Sequence, residues 1–322
     1  MSCIPRPAGG QSALLLLYSH PLFRKHRTGH GHPECSERLD SIEQALRAKG
    51  LWDRCRAPEF KPASEDDLRL VHTAEHVAFV KACGQQTPFR IDGETVMSKD
   101  SWDAALLAAG ACIDAADRIA AGEDSRALCL VRPPGHHATP HQSMGFCLFN
   151  NIAIAAEHLK RRHGVERILI ADFDVHHGNG TQDAFWNDPA VFYVSTHRAP
   201  FYPGSGAKDE AGEGEGKGFT LNIPFDLLDH GDDVALAWKK ALARISDEFK
   251  PQYVLVSAGF DAWKNDPIGG LNFEIRHFAE ITGLLVDAAN ATADGRIIST
   301  LEGGYDVDRL GTLVAAHLEA ML

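Results

Sequence analysis

Ile168-Leu169-Ile170-Ala171-Asp172-Phe173-Asp174-Val175-His176-His177-Gly178-Asn179-Gly180 is an apolar run that stops abruptly in acids and imidazoles. The run reads as a buried strand, and the segment after it as the strand's carboxyl end. Alternate residues of extended chain face one way, so Asp172, Asp174 and His176 converge on one point. Carboxylate oxygens plus an imidazole nitrogen are a donor set for a divalent cation such as zinc. The competing reading is a polar loop capping a helix, with Asn179 or Thr181 at the cap. Burying two acids and two histidines with no cation to share is costly, which favours the metal.

Outward from this stretch the pattern repeats. Ala127 to Val131, Val191 to Ser195, Phe219 to Ile223, Tyr253 to Ser257 and Ile297 to Leu301 are short apolar runs rich in branched residues, and Ala13 to Leu17 reads as a first buried strand. Between them lie helical patterns. Leu39, Ile42 and Leu46 share a face, Trp102 to Ala121 is Ala-rich and opened by Ser98 or Asp100, and Ile152 to Leu159, Val234 to Ile245 and Phe278 to Ala289 read likewise. Such alternation predicts an α/β fold, a mostly parallel central sheet with helices on both faces, in one domain spanning 1–322. No linker or internal repeat divides the chain.

In such sheets the active site lies beyond the carboxyl ends of the strands. After Val131 comes Arg132-Pro133-Pro134-Gly135-His136-His137-Ala138, after Ser257 Ala258-Gly259-Phe260-Asp261, and after Leu301 Glu302-Gly303-Gly304-Tyr305-Asp306. With the opening run, four strand ends each deliver an acid, an imidazole or a phenol. Their joint occurrence points to a metal-dependent active site.

Composition narrows the partners. The net charge is −12, with 32 Lys and Arg against 44 Asp and Glu, and the basic residues form no nucleic-acid patch. Direct nucleic-acid binding is not expected, and cationic partners are mildly favoured. Seven scattered cysteines without a C-x-x-C pair suit a reducing, cytoplasmic compartment. Ala13 to Leu17 is too short for a signal-peptide core or membrane span, so no membrane role is expected. Gly212 to Gly218 superficially resembles a phosphate loop, but it precedes a strand and carries two acids, so it reads as a flexible loop. His20, His26, His30 and His32 suggest a second metal less than they suggest structural use.

These segments, with Gly145-Phe146-Cys147-Leu148-Phe149-Asn150-Asn151, Asp266-Pro267-Ile268-Gly269-Gly270 and the weaker His32-Pro33-Glu34, Glu37-Arg38-Leu39 and Tyr202-Pro203-Gly204-Ser205-Gly206, together resemble the zinc-dependent histone deacetylase and acetylpolyamine amidohydrolase family. The resemblance implies the arginase-like three-layer α/β fold. It makes Asp174, His176 and Asp261 the zinc ligands, with ferrous iron as the alternative metal. His136 and His137 match the tandem histidines that handle the water and leaving-group protons, oriented by Asp172 and Asn179. Asn179 stands where some members carry Asp, a mark of the class II-like subgroup. Tyr305 matches the phenol that donates to the oxyanion, where members with His are poor deacetylases.

The resemblance also implies a potassium ion held by Asp172, Ser195, Thr196 and the backbone of Asp174 and His176. Phe146 and Tyr202 match the aromatic walls of a substrate tunnel, with Tyr202 departing from the usual Phe, and Gly145 matches a carbonyl that accepts the scissile amide proton. Ile268 stands where some polyamine-selective members place Glu. The implied activity is hydrolysis of acyl-lysine in peptides or proteins, with acetylpolyamine hydrolysis as the alternative and a homo-oligomer left open. Asp92 and Glu94 lie in the region where family members use an acid to hold the substrate backbone, and the sequence does not say which of them does so, if either. A binuclear arginase-type site would need a further D-x-D after the third strand end, which Asp261 to Asp266 does not supply. A non-catalytic acyl-lysine reader would tend to have lost a ligand or Tyr305, and none is missing.

Overall fold

The structure, a computed structural model, describes residues 15–322. Ala13, Leu14 and Cys3 lie outside the described residues, and the first strand is seen from Leu15. Among the described residues ten strands are formed: β1 (Leu15–Tyr18), β2 (Cys55–Arg56), β3 (Phe89–Arg90), β4 (Val96–Met97), β5 (Arg126–Cys129), β6 (Ile168–Asp172), β7 (Val191–Arg198), β8 (Thr220–Phe225), β9 (Tyr253–Ala258) and β10 (Ile297–Leu301). Eight of them make one sheet in the order β2-β1-β5-β10-β9-β6-β7-β8, and β3 and β4 form a separate hairpin. Every pairing in the large sheet is parallel.

The central strands are apolar because both faces are covered. Leu128, Leu169, Ile170, Val254, Leu255 and Ile298 are all buried. The helices are α1 (Glu37–Ala48), α2 (Glu65–Leu68), α3 (Ala74–Gln85), α4 (Ser101–Ala120), α5 (Asn151–His163), α6 (Asn179–Ala184), α7 (Gly231–Glu248), α8 (Ile275–Thr292) and α9 (Val307–Met321). Helices α1, α9, α8 and α7 pack side by side in one row, while α4 and α5 pack on each other in another. Asp100 occupies the position before α4, as the sequence suggests, but its side chain makes no cap bond there. No described helix is long and apolar enough to cross a membrane. The six described cysteines are free thiols.

The core also encloses polar groups that fold as neutral species. His317 bridges Thr282 Oγ1 at 2.6 Å and Ser299 Oγ at 2.8 Å, and burial pushes its pKa down from 6.5 to about 3. His72 is likewise pushed to about 3, by burial and then by His76. The unfolded chain binds protons near pH 6.5 that these folded rings refuse, so their contribution to stability is lost as pH falls from 6.5 toward 3. Each costs up to about 1.4 kcal/mol per pH unit in that window. Glu302, with its pKa raised to about 7, works in the opposite sense. The expected result is a melting temperature that declines more steeply with acid in the native chain than in His317→Gln. Parallel pH profiles for the two proteins would refute it.

Candidate active site

Four adjacent strands, β5, β10, β9 and β6, end on the same side of the sheet. Their carboxyl ends carry His136 and His137, Glu302 to Tyr305, Asp261, and Asp172 to His176. Residues far apart in sequence thus meet because of strand order.

Asp174, His176 and Asp261 are brought together and buried, with donor atoms within 4.8 Å of one another. His176 Nδ1 lies 3.0 Å from Asp174 Oδ1 and 3.1 Å from Asp261 Oδ2. Backbone groups fix both acids: Gly303 N–H donates to Asp174 Oδ2 at 2.8 Å, and Val175 N–H to Asp261 Oδ1 at 2.9 Å. Gly303 admits no side chain, since a Cβ there would fall 2.2 Å from Asp261 Oδ2 and 2.6 Å from Asp174 Oδ2. The electrostatics are those of a cation site. Burial and the Asp174 charge push Asp261 up to about 7, while Asp174 is held well below the usual carboxylate range by the His136 and His176 rings despite its burial. Burial opposes charge on His176, but its two carboxylates override that and raise it to about 10. Two buried acids facing one imidazole nitrogen, in a cradle that a single Cβ would fill, fit a divalent metal through one nitrogen and two oxygens.

The two tandem histidines have opposite environments. Burial disfavours the His136 cation, yet Asp172 and Asp174 outweigh it and raise the ring to about 10; its Nδ1 bonds Asp172 Oδ2 at 3.1 Å. His137 is driven well below 6.5 by burial and by the cationic His136 and His176. Its Nδ1 donates to Asn179 Oδ1 at 2.8 Å, which leaves Nε2 as a bare lone pair. The rings sit 4.0 Å apart. Pairs of titratable groups pushed in opposite directions mark acid and base roles.

Tyr305 is buried, and burial with the Asp261 and Asp174 charges keeps its phenol protonated and able to donate. It faces a cavity of about 140 Å³ lined by Glu94, His137, Gly145, Phe146, His176, Phe201, Tyr202, Ile268 and Tyr305. Phe146 meets Tyr305 edge-on at 5.8 Å, and Tyr202 meets His137 at 5.2 Å. Gly145 and Phe146 both have positive φ, 55° and 67°. A Cβ on Gly145 would fall 2.3 Å from the His137 ring, so only glycine lets this turn close over it.

Asp172 pairs in register with Ser195, whose Oγ is 2.9 Å from His197 Nδ1. The Thr196 hydroxyl accepts the Trp238 indole N–H at 2.9 Å, so a cation there would draw on its main-chain oxygen. His177 bonds Ser205 and Gln182 and stays outside the metal cluster. Among the N-terminal histidines, His26 is 3.5 Å from Glu34, His32 bonds the Glu94 carbonyl at 2.9 Å, and no metal group includes any of the four among the described residues. Gly212 to Gly218 is a turn before β8, with a short helical bend at Gly214–Gly216.

Several positioning residues escaped sequence reading. Glu302 accepts from Gly135 N–H at 2.7 Å, His136 N–H at 3.2 Å and Ser257 Oγ–H at 3.1 Å, clamping the histidine loop to β9. Asp266 accepts from Tyr305 N–H at 2.7 Å and Ile268 N–H at 2.9 Å, joining the Tyr305 loop to the tunnel rim. Beneath Tyr305, fully buried Arg38 donates to the carbonyls of Gly304 and Glu302 and pairs with Glu34, which also holds Arg132. Phe201 stacks on His176 at 5.0 Å. The available signals were a charged residue directly after an apolar run, at Glu302, and an acid beside proline, at Asp266.

Residues 32–321 match the histone deacetylase domain. The chain is 40% identical over 291 residues to a probable deacetylase of Archaeoglobus fulgidus, covering 90% of this chain and 80% of that one. It is 38% identical to histone deacetylase 5 of Arabidopsis thaliana, covering 99% of this chain and 51% of that protein. To the polyamine deacetylase HDAC10 of Mus musculus it is 41% identical, covering 90% and 45%. It spans about half the length of these last two relatives. The solved HDA15 HD domain superposes with a TM-score of 0.90 at 34% identity, over 97% of this chain and 88% of that one. By domain match, relatives and fold, the chain belongs to the histone deacetylase family of deacetylases.

Proposed function

We propose that the chain hydrolyses the side-chain amide of acylated lysine in peptides or proteins, releasing a carboxylate and the free amine. The observation that carries this reading is the convergence, at one narrow apolar cavity, of an Asp-His-Asp cluster, a neutral histidine with a bare nitrogen and a protonated buried phenol. A zinc or ferrous ion held by Asp174, His176 Nδ1 and Asp261 would polarise the acyl carbonyl and lower the pKa of a water toward about 7.

The remaining steps belong to the protein. His137 Nε2 takes a proton from the attacking water, with Asn179 holding the ring in the required tautomer. Asn179 is a neutral partner, so the imidazolium formed keeps an acidic proton for the leaving amine. His136, oriented by Asp172, helps to hold the attacking water beside the carbonyl. Tyr305 donates to the oxygen that gains negative charge. The Gly145 carbonyl accepts the amide N–H, and Phe146, Tyr202 and Phe201 enclose the alkyl stem. At the mouth Asp92 is engaged by Glu94 N–H and Thr95, whereas Glu94 lines the cavity, which favours Glu94 as the acid that holds the substrate beyond the tunnel. Potassium near Asp172 and Ser195, and a reducing cytoplasmic setting, complete this reading.

Ile268, 37% exposed at the rim, offers no charge to a distal ammonium and favours acyl-lysine. The likeness to a protein named a polyamine deacetylase supports the second reading, acetylpolyamine hydrolysis by the same chemistry. A side-by-side panel of acetyl-lysine peptides, longer acyl-lysines and acetylpolyamines on metal-loaded enzyme separates them. The expected order has acyl-lysine peptides ahead in kcat/KM, with Glu94→Gln raising KM about tenfold for peptides, the loss of one charge-assisted hydrogen bond. Preference for acetylspermidine would install the second reading, and no hydrolysis of any of them would end both.

A further inference from the structure

The C-terminal end of α5 carries a second group of metal-binding donors, remote from the cavity. His158 Nε2 and His163 Nε2 both lie 2.7 Å from one oxygen, Oδ1, of Asp117 on α4. The three donors fall within 4.8 Å of each other, the only such group among the described residues besides the Asp174 cluster. The two imidazoles stand 5.7 Å apart at 61°, so both aim at the carboxylate and do not stack.

The surroundings leave these donors available. The His158 side chain is 8% exposed, and its Nδ1 is buried with no partner, so Nε2 carries all of that ring's polar contacts. The His163 and Asp117 side chains are 28% and 50% exposed, so the group opens to solvent on one side with room for water ligands. Of the nearby cations, Lys160 pairs with Glu157 and Asp188, Arg161 with Glu157, and Arg118 with Asp114 and Glu123, so none of these three competes for Asp117. The negative pole of α5 also points this way, favouring positive charge at its last turn.

We propose that Asp117, His158 and His163 form a second site for a borderline transition cation, zinc, nickel or copper, distinct from the catalytic cluster. Two imidazole nitrogens and a carboxylate oxygen are a ligand set for these ions and a poor one for calcium or magnesium. Tetrahedral bonds of about 2.0–2.2 Å space donors about 3.3 Å apart, so Asp117 needs to retreat by roughly half an ångström, which its exposure permits. The bound ion ties α5 to α4. At the other end of α5, about 18 Å away at 1.5 Å per residue, Asn151 Nδ2 donates to the Pro133 carbonyl at 3.2 Å and Asn150 Nδ2 to that of Ala138 at 3.3 Å, around the histidine loop. The clamp therefore stabilises the helix that carries this loop without touching the chemistry.

The test compares the native chain with His163→Ala and Asp117→Asn. Zinc chloride is titrated into each by calorimetry, and bound zinc per chain is counted after equilibrium dialysis. The native chain is expected to bind one more zinc than either variant, or to hold it at least about tenfold more tightly, and zinc raises its melting temperature by more. Hydrolysis of the same substrate by the variants should match the native enzyme. Equal stoichiometry and affinity in all three proteins would overturn the proposal. Because His163 is the last residue of α5 and Asp117→Asn keeps the side-chain shape, agreement between the variants separates lost ligation from lost folding.

Discussion

Replacing Tyr305 with Phe should lower kcat by about a hundredfold to a thousandfold, or roughly 2.7–4 kcal/mol of barrier, the usual effect of one oxyanion donor. KM and metal content should hardly change. The reason lies in how the residue is placed. Its backbone N–H is pinned by Asp266, its ring meets Phe146 edge-on, and the Arg38 guanidinium lies 5.2 Å from the ring centroid. All of these contacts survive in Phe. Only the hydroxyl is lost, and it is held protonated by burial and the two nearby acids. An interaction made only as charge develops on the carbonyl oxygen affects kcat and kcat/KM equally. A fall in kcat below about tenfold would mean that the phenol is not the oxyanion donor.

Asp261→Asn should separate function from stability with opposite signs. Changing a residue that merely orients a metal ligand already costs ten- to a hundredfold in affinity, so losing a direct ligand should weaken zinc by more than about a hundredfold and abolish turnover. The metal-free protein should be as stable as the native apo chain at pH 8, or more so. Burial and the neighbouring Asp174 charge raise Asp261 to about 7 even with the His176 ring 3.1 Å away, so at pH 8 its ionised form is a burden when no metal is bound. The amide oxygen still accepts from Val175 N–H. Zinc binding by calorimetry and melting in chelator give the two readouts. A marked drop in apo stability would show that the carboxylate is structural.

The sheet was legible, and so were the candidate acids, imidazoles and phenol, because these lie a few residues beyond the end of an apolar run. Ile168–Asp172 and Ile297–Leu301 are strands nearly as read, and Asp174, His176, Asp261, His136, His137 and Tyr305 follow strand ends. What sequence did not reveal depends on which strands are neighbours. Glu302 clamps the histidine loop only because β10 lies between β5 and β9. Arg38 reaches the Gly304 carbonyl across 266 residues of chain. The strand β2 and the hairpin of β3 and β4 are made of two-residue strands, too short for any periodicity to show. That the Asp92 carboxylate accepts from the Glu94 and Thr95 N–H groups of its own loop was equally closed to the sequence.

The most direct test of the account is hydrolysis of an acetyl-lysine peptide by protein stripped of metal and then reloaded with zinc. Stripped enzyme should be inactive, zinc should restore turnover, and reloaded Asp261→Asn and Tyr305→Phe should stay impaired. Stripped protein that retains full activity would contradict a metal centre at Asp174, His176 and Asp261.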